Sequence, residues 1–218
     1  MNRLWVFGDS LCTAYNLDPA TPAWPDILAR RLGLQLENHS RPAVDNSYIY
    51  AAYCHYENQI TAQDTVIVGW THPSRHLWIY DQSNPQHQQL VHQGIHYQLG
   101  DHVWFRAPAR PSRQISESLS HKPCDSGEAF FDNWFMNHYN DCQQRLQFQA
   151  YRHSVRLNCL ANYYCFYFSR ESMQHTEPGL GFAVDFINEN HLAISNTDYH
   201  FNRQGHHVWA VFNQIVFD

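Results

Sequence analysis

A chain of 218 residues is long enough to bury a core without disulfide staples, and its length suits one domain carrying an insertion. Its 44% hydrophobic and 15% aromatic content excludes disorder, and no apolar run reaches the roughly 20 residues of a membrane-spanning helix. With 14 Lys and Arg against 20 Asp and Glu the formal charge is −6, which leaves no cationic surplus to displace counterions from nucleic-acid phosphates.

Leu4 to Phe7 reads as a short buried strand stopped by Gly8. Thr21-Pro22 offers an N-cap and a first-turn proline for a helix. Trp24, Ile27, Leu28, Arg31 and Leu32 follow at helical spacing, and Gly33 stands where a terminating glycine belongs. Leu34 to Glu37 is a second strand. Asp45 caps a second helix carrying Ile49, Ala52, Tyr53 and Tyr56. Thr65 to Val68, β-branched and apolar, is a third buried strand ending at Gly69. Strands and helices alternate, which predicts an α/β fold with a central parallel sheet.

Residues 72 to 127 break this rhythm. They are rich in Gln, His, Pro and Ser, and only Val103-Trp104-Phe105 suggests a strand. The stretch is too long for an ordinary connection and reads as a lid-like insertion. A long helix is predicted from Glu128 to about Leu160, with Phe131, Trp134, Phe135, Tyr139, Cys142 and Leu146 on one stripe. Tyr163 to Phe168 is an aromatic-rich strand, and Leu192 to Ile194 a short one. A last helix runs from about Arg203 to Ile215, capped by Asn202, with Val208, Val211, Phe212 and Ile215 expected to face inward.

The six cysteines show no C-x-x-C spacing and mostly lie among apolar neighbours, as buried free thiols do. Together with the lack of a signal-peptide core behind Met1, this predicts a reducing, cytoplasmic setting. A virion-associated protein, also made in a cytoplasm, fits the same composition.

Two short segments carry the chemistry. Gly8-Asp9-Ser10-Leu11 follows the first strand directly, where open α/β sheets bind ligands. Near the other end stands Asp198-Tyr199-His200-Phe201-Asn202, followed by Gly205-His206. In an extended segment residues i and i+2 point to one side, so Asp198 can orient the His200 imidazole. Ser10, His200 and Asp198 thus supply a nucleophile, a base and an orienter. The plainer reading makes the first segment a capped turn and the second a surface turn.

Together these ends resemble the SGNH hydrolases, or GDSL esterases and lipases. Ala23-Trp24-Pro25-Asp26-Ile27-Leu28-Ala29, then Asn38-x-Ser40-x-Pro42, are similar to that family's first helix and second block. The resemblance implies a three-layer α/β/α flavodoxin-like fold in a single domain over residues 1–218, with Ser10 as nucleophile, His200 as base and Asp198 as its partner. It implies hydrolysis of esters of small acyl groups or acetylated carbohydrates through an acyl-enzyme, with no cofactor and no metal.

Two positions depart from the family pattern. The family's second block usually holds a glycine whose N–H joins the oxyanion hole, and Ala43 stands there. The third block usually reads Gly-x-Asn-Asp, and here it is Gly69-Trp70-Thr71-His72. Thr71 or His72 is then the expected side-chain donor, with Arg75 either a helix-start or surface arginine or a substrate or loop clamp. The Asp-x-His spacing is also one residue shorter than the common form. These departures, with the polar insertion, keep open an alternative of another class: a non-catalytic glycan-binding or virion assembly protein on the same fold. The oligomeric state is not readable.

Histidine is abundant, at 16 against a single lysine, Lys122. His72 and His76, and His92 and His96 with His102 nearby, have helical spacing that could share a metal, but no acid or cysteine completes either set. His206 is expected to be structural, and a substitute base only if His200 is misplaced. Most other histidines read as surface polar groups, which predicts a positive net charge below about pH 6.

Overall fold

The computed structural model describes residues 2–72, 75–81, 83, 96–105, 141–168, 181–195 and 198–217. Strands β1 (Arg3–Phe7), β2 (Gln35–Asn38), β3 (Thr65–Trp70) and β7 (Asn162–Tyr167) form one sheet in the order β2-β1-β3-β7. All three pairings are parallel. The chain runs from β1 to its neighbour on one side and then crosses to β3 on the other. The strand order therefore reverses at β1, and the carboxyl ends of β1 and β3 flank the switch point at which open α/β sheets bind ligands. This is the expected flavodoxin-like arrangement.

Alternation along the strands builds the three layers. Leu4, Val6, Ile67 and Phe166 point to one face, where they pack with Trp24, Ile27 and Leu28 of α1 (Trp24–Leu32) and Trp209 and Ala210 of α5 (Arg203–Phe217). Trp5, Phe7, Val66, Val68 and Tyr167 point to the other. There they meet Tyr48, Ile49, Ala52 and Tyr53 of α2 (Asn46–Tyr56), and Phe148 and Val155 of α3 (Asp141–Asn158). All six residues of β3 are buried, as a central parallel strand covered on both faces requires. Among the described residues, no helix is long and apolar enough to cross a membrane.

Several local signals act as read. Asp45 caps α2 by accepting the Tyr48 N–H at 2.9 Å, and Gly33 ends α1 in the left-handed region at φ +66°. Asn202 caps α5 by accepting the Gly205 N–H at 2.7 Å.

Other expectations are corrected. Thr21 does not cap α1. That helix starts at Trp24 with Pro25 in its first turn, and its Trp24 N–H is taken by His206 Nδ1 at 3.1 Å. The N-cap residue is Ala23, which has no polar side chain, so a side chain from α5 supplies the missing cap. Among the described side chains of α5 the buried residues are Gly205, His206, Trp209, Ala210 and Asn213, while Val211 and Phe212 are over a third exposed and Ile215 lies outside those described. Apolar residues occur on both sides of this helix, so spacing alone could not choose the inner one. In α3 the inward face is Phe148, Arg152 and Val155, whereas Leu146 and Cys142 are exposed. The helix ends at Asn158, and its expected start at Glu128 lies outside the described residues. Cys12 and Cys165 are buried, but Cys54 is exposed too, so burial of the thiols is not general.

The described part of the insertion is more regular than expected. β4 (Trp78–Ile79), β5 (His96–Leu99) and β6 (His102–Phe105) form an antiparallel sheet in the order β4-β6-β5. Tyr97 and Trp104 face each other across β5 and β6 and pack on Tyr48 of α2 at 5.8 and 5.6 Å. These two aromatics thus seat the small sheet on α2. The segment after β7 also holds an unforeseen helix, α4 (Ala183–Glu189), followed by the hairpin of β8 (Ala193–Ser195) and β9 (Asp198–Phe201).

Candidate active site

The site lies just beyond β1. The tight backbone there depends on glycine. A Cβ on Gly8 would stand 2.4 Å from Cys12 Sγ, and one on Gly69 would stand 2.4 Å from the Phe166 ring. Ser10 to Cys12 form a single 3-10 turn, capped by the Asp9 carboxylate, which accepts the Leu11 N–H at 3.0 Å. Two side chains pin the turn. The Trp24 indole donates to Leu11 O at 2.9 Å, and the Asn38 amide donates to Cys12 O at 3.0 Å. Ser10 is thus held in place and is 5% exposed.

The β8–β9 hairpin brings the second segment to it. β9 is extended over Asp198–Phe201, so Asp198 and His200 lie on one side of the strand. His200 Nε2 stands 2.7 Å from Ser10 Oγ, and His200 Nδ1 stands 2.5 Å from Asp198 Oδ1. The same carboxylate oxygen accepts the His200 backbone N–H at 3.1 Å. With Asp198 ionised, Nδ1 carries the ring proton, and Nε2 is left to accept the serine proton.

Sequence reasoning missed two neighbours. The Asn16 amide donates to Asp198 Oδ2 at 3.0 Å, and the Tyr15 ring lies 4.5 Å from the His200 ring. Burial pushes the Asp198 carboxyl up, but hydrogen bonds from Asn16 and His200 outweigh it, so its pKa falls below the ordinary value. Asn16 holds φ +59°, a left-handed conformation that asparagine tolerates well. Its polarity alone gave no sign that it would meet a residue 182 positions away.

Behind Ser10 a second network joins Asp9 to the end of β3. Asp9 Oδ2 accepts the Thr71 hydroxyl and the Arg75 guanidinium, both at 2.7 Å. Thr71 is also paired twice with Asn46, through its N–H and its carbonyl, each at 3.0 Å. The Thr71 hydroxyl, expected to meet an oxyanion, is therefore committed to a buried carboxylate. A threonine has one hydroxyl proton to give. Of the readings given for Arg75, a clamp on the loop is the one this ion pair fits. Arg75 pairs with Asp9, 5.1 Å above the Phe168 ring. His72 meets Phe168 edge-on at 6.3 Å. Trp70 is buried against Phe148, as a packing residue.

Ala43 holds φ +62°, the left-handed region that favours the glycine usual at this place. Arg41 N–H donates to Gly8 O at 3.1 Å, which ties this loop to the nucleophile turn. Among the described residues the N–H groups of Ser10 and Ala43 take no protein acceptor.

His206 is 1% exposed and burial lowers its pKa to about 4, so its neutral ring caps α1 and is no second base. His92 lies outside the described residues. Among those described, no three His, Cys, Asp or Glu side chains gather as a metal site.

No family model matches the chain, and no curated protein does. Among solved structures, the chain is similar to a member of the lipolytic G-D-S-L family from Veillonella parvula DSM 2008 (11% identity, TM-score 0.43, covering 100% of this chain and 98% of that one). It is similar to a candidate lipolytic protein of the G-D-S-L family from Desulfitobacterium hafniense DCB-2 (9% identity, TM-score 0.41, 99% of each chain). A candidate SGNH hydrolase from Slackia heliotrinireducens is similar at 11% identity and TM-score 0.41, over 100% of this chain and 99% of that one.

Proposed function

We propose that this protein is a serine hydrolase of the SGNH type that cleaves small acyl esters, with acetyl groups on carbohydrate as one substrate class. The reading rests on one observation: the unbroken chain from Ser10 Oγ through the His200 ring to Asp198, at 2.7 and 2.5 Å. The motifs at both ends of the sequence point the same way.

In this reading His200 Nε2 takes the Ser10 proton as Oγ attacks the ester carbonyl. Asp198 stabilises the imidazolium that forms, and Asn16 holds Asp198. The N–H groups of Ser10 and Ala43 receive the oxyanion. His200 then protonates the departing alcohol. Water attacks the acyl-enzyme with His200 again as base, and Ser10 is released. Arg75 and Thr71 act behind the nucleophile by fixing Asp9, and none of these steps calls for a metal or cofactor. The proposal extends to a single domain with an insertion and to a reducing compartment.

The test is turnover of p-nitrophenyl acetate and labelling by a fluorophosphonate, in wild type and Ser10→Ala. Expected is turnover that falls on the order of 10⁴-fold in Ser10→Ala, with loss of the label. Equal rates remove Ser10 from the chemistry. A folded wild type that neither labels nor turns over leaves the glycan-binding alternative standing.

A further inference from the structure

We propose that Tyr97, supplied by the insertion, is a positioning residue for the oxyanion donor at Ala43. This rests on the hydrolase reading above and adds a role that its motifs do not contain.

The Tyr97 hydroxyl donates to the carbonyl of Pro42 at 2.6 Å. That carbonyl and the Ala43 N–H belong to one peptide group. No peptide in the described structure is cis, so the two bonds point in opposite directions from one plane. Fixing the carbonyl therefore aims the N–H. The aim needs fixing, because Ala43 sits at φ +62°, where alanine has no intrinsic preference to stay. The loop's other end is held where Arg41 N–H meets Gly8 O at 3.1 Å, which leaves the Pro42–Ala43 peptide as the part that can rotate. A carbonyl that accepts a hydrogen bond also polarises its own N–H and makes it a better donor.

Tyr97 is itself well anchored. Its ring packs on Tyr48 of α2, beside its cross-strand partner Trp104, which is 6% exposed. The clamp on Pro42 is thus referenced to the body of the fold. The insertion thereby contributes to the catalytic apparatus, a function distinct from covering the substrate.

Tyr97→Phe keeps the ring and removes only the hydroxyl. Expected is a kcat for p-nitrophenyl acetate lower by about 10-fold, below the 10²–10³-fold of removing a donor outright, with KM within twofold. The rate of fluorophosphonate labelling falls in parallel. Binding of a phenylboronic acid, which forms a tetrahedral anionic adduct on serine, weakens by a similar factor. A merely structural tyrosine would move none of these while the melting temperature held. A Tyr97→Phe chain with wild-type kcat and boronate affinity overturns the proposal. So does one whose melt is lost along with its activity, since the hydroxyl would then serve the fold. An inert wild type overturns the hydrolase reading itself, and this is seen before any variant is made.

Discussion

Ala43→Gly tests the backbone account directly, because it should stabilise the protein. At φ +62° a non-glycine residue carries about 1–2 kcal/mol of steric cost that glycine avoids. Glycine in turn enlarges the freedom of the unfolded chain, which takes back about 0.4–1 kcal/mol. The net expected gain is about 0.5–1 kcal/mol. For a chain of this size that raises the melting temperature by about 1–4 °C. The matching control is Gly33→Ala, at φ +66° with open space where its Cβ would stand. It isolates the same term with the opposite sign, so about 0.5–1 kcal/mol is lost, and the double variant should return near wild type. Urea unfolding with unchanged slope is the measurement. A destabilised Ala43→Gly beside a destabilised Gly33→Ala would refute the reasoning, because the left-handed backbone would then not be what limits Ala43.

Gly8→Ala should lose about 1–3 kcal/mol and most activity, since the new methyl meets Cys12 Sγ and shifts the Ser10 turn; chemical unfolding and ester turnover both report it. His206→Ala removes the cap of α1 and leaves a cavity beside Phe201, so about 2–3 kcal/mol should be lost in urea titration. His39, His76 and His206 all have pKa values lowered to about 4, chiefly by burial. The unfolded chain then binds more protons between about pH 6.5 and 4. Stability is complete above 6.5 and falls through that window, by up to about 1.4 kcal/mol per pH unit for each histidine. Unfolding free energies measured from pH 7 to pH 4 that stay level would contradict this. Asn16→Ala should raise the Asp198 pKa and lower kcat about 10-fold, read from the acidic limb of the pH–rate profile.

Part of the fold was legible because it is written in short-range terms. The apolar runs at β1 and β3, Asp45 and Asn202 at helix starts, and Gly33 at a helix end each depend on a few neighbouring residues. The placement of Ser10 after a buried strand, and of Asp198 and His200 on one side of an extended segment, follows from the same local geometry. The family resemblance at both ends added the pairing of the two segments, which no local rule supplies.

What tertiary structure alone decided is where each polar group finds its partner. Thr71 was placed correctly at the end of β3, but its hydroxyl turns to Asp9 because a buried carboxylate must be satisfied and lies within reach. Asn16, Tyr97 and the His206 cap were invisible, since each acts on a residue far away in the chain. The histidines show the same division. Composition predicts 16 groups that charge near neutrality, yet among the described residues three are held neutral to about pH 4 by burial and only His200 touches Ser10. Sequence counts the titratable groups, and the packed interior sets which of them titrate, because desolvation depends on neighbours that only the fold brings together.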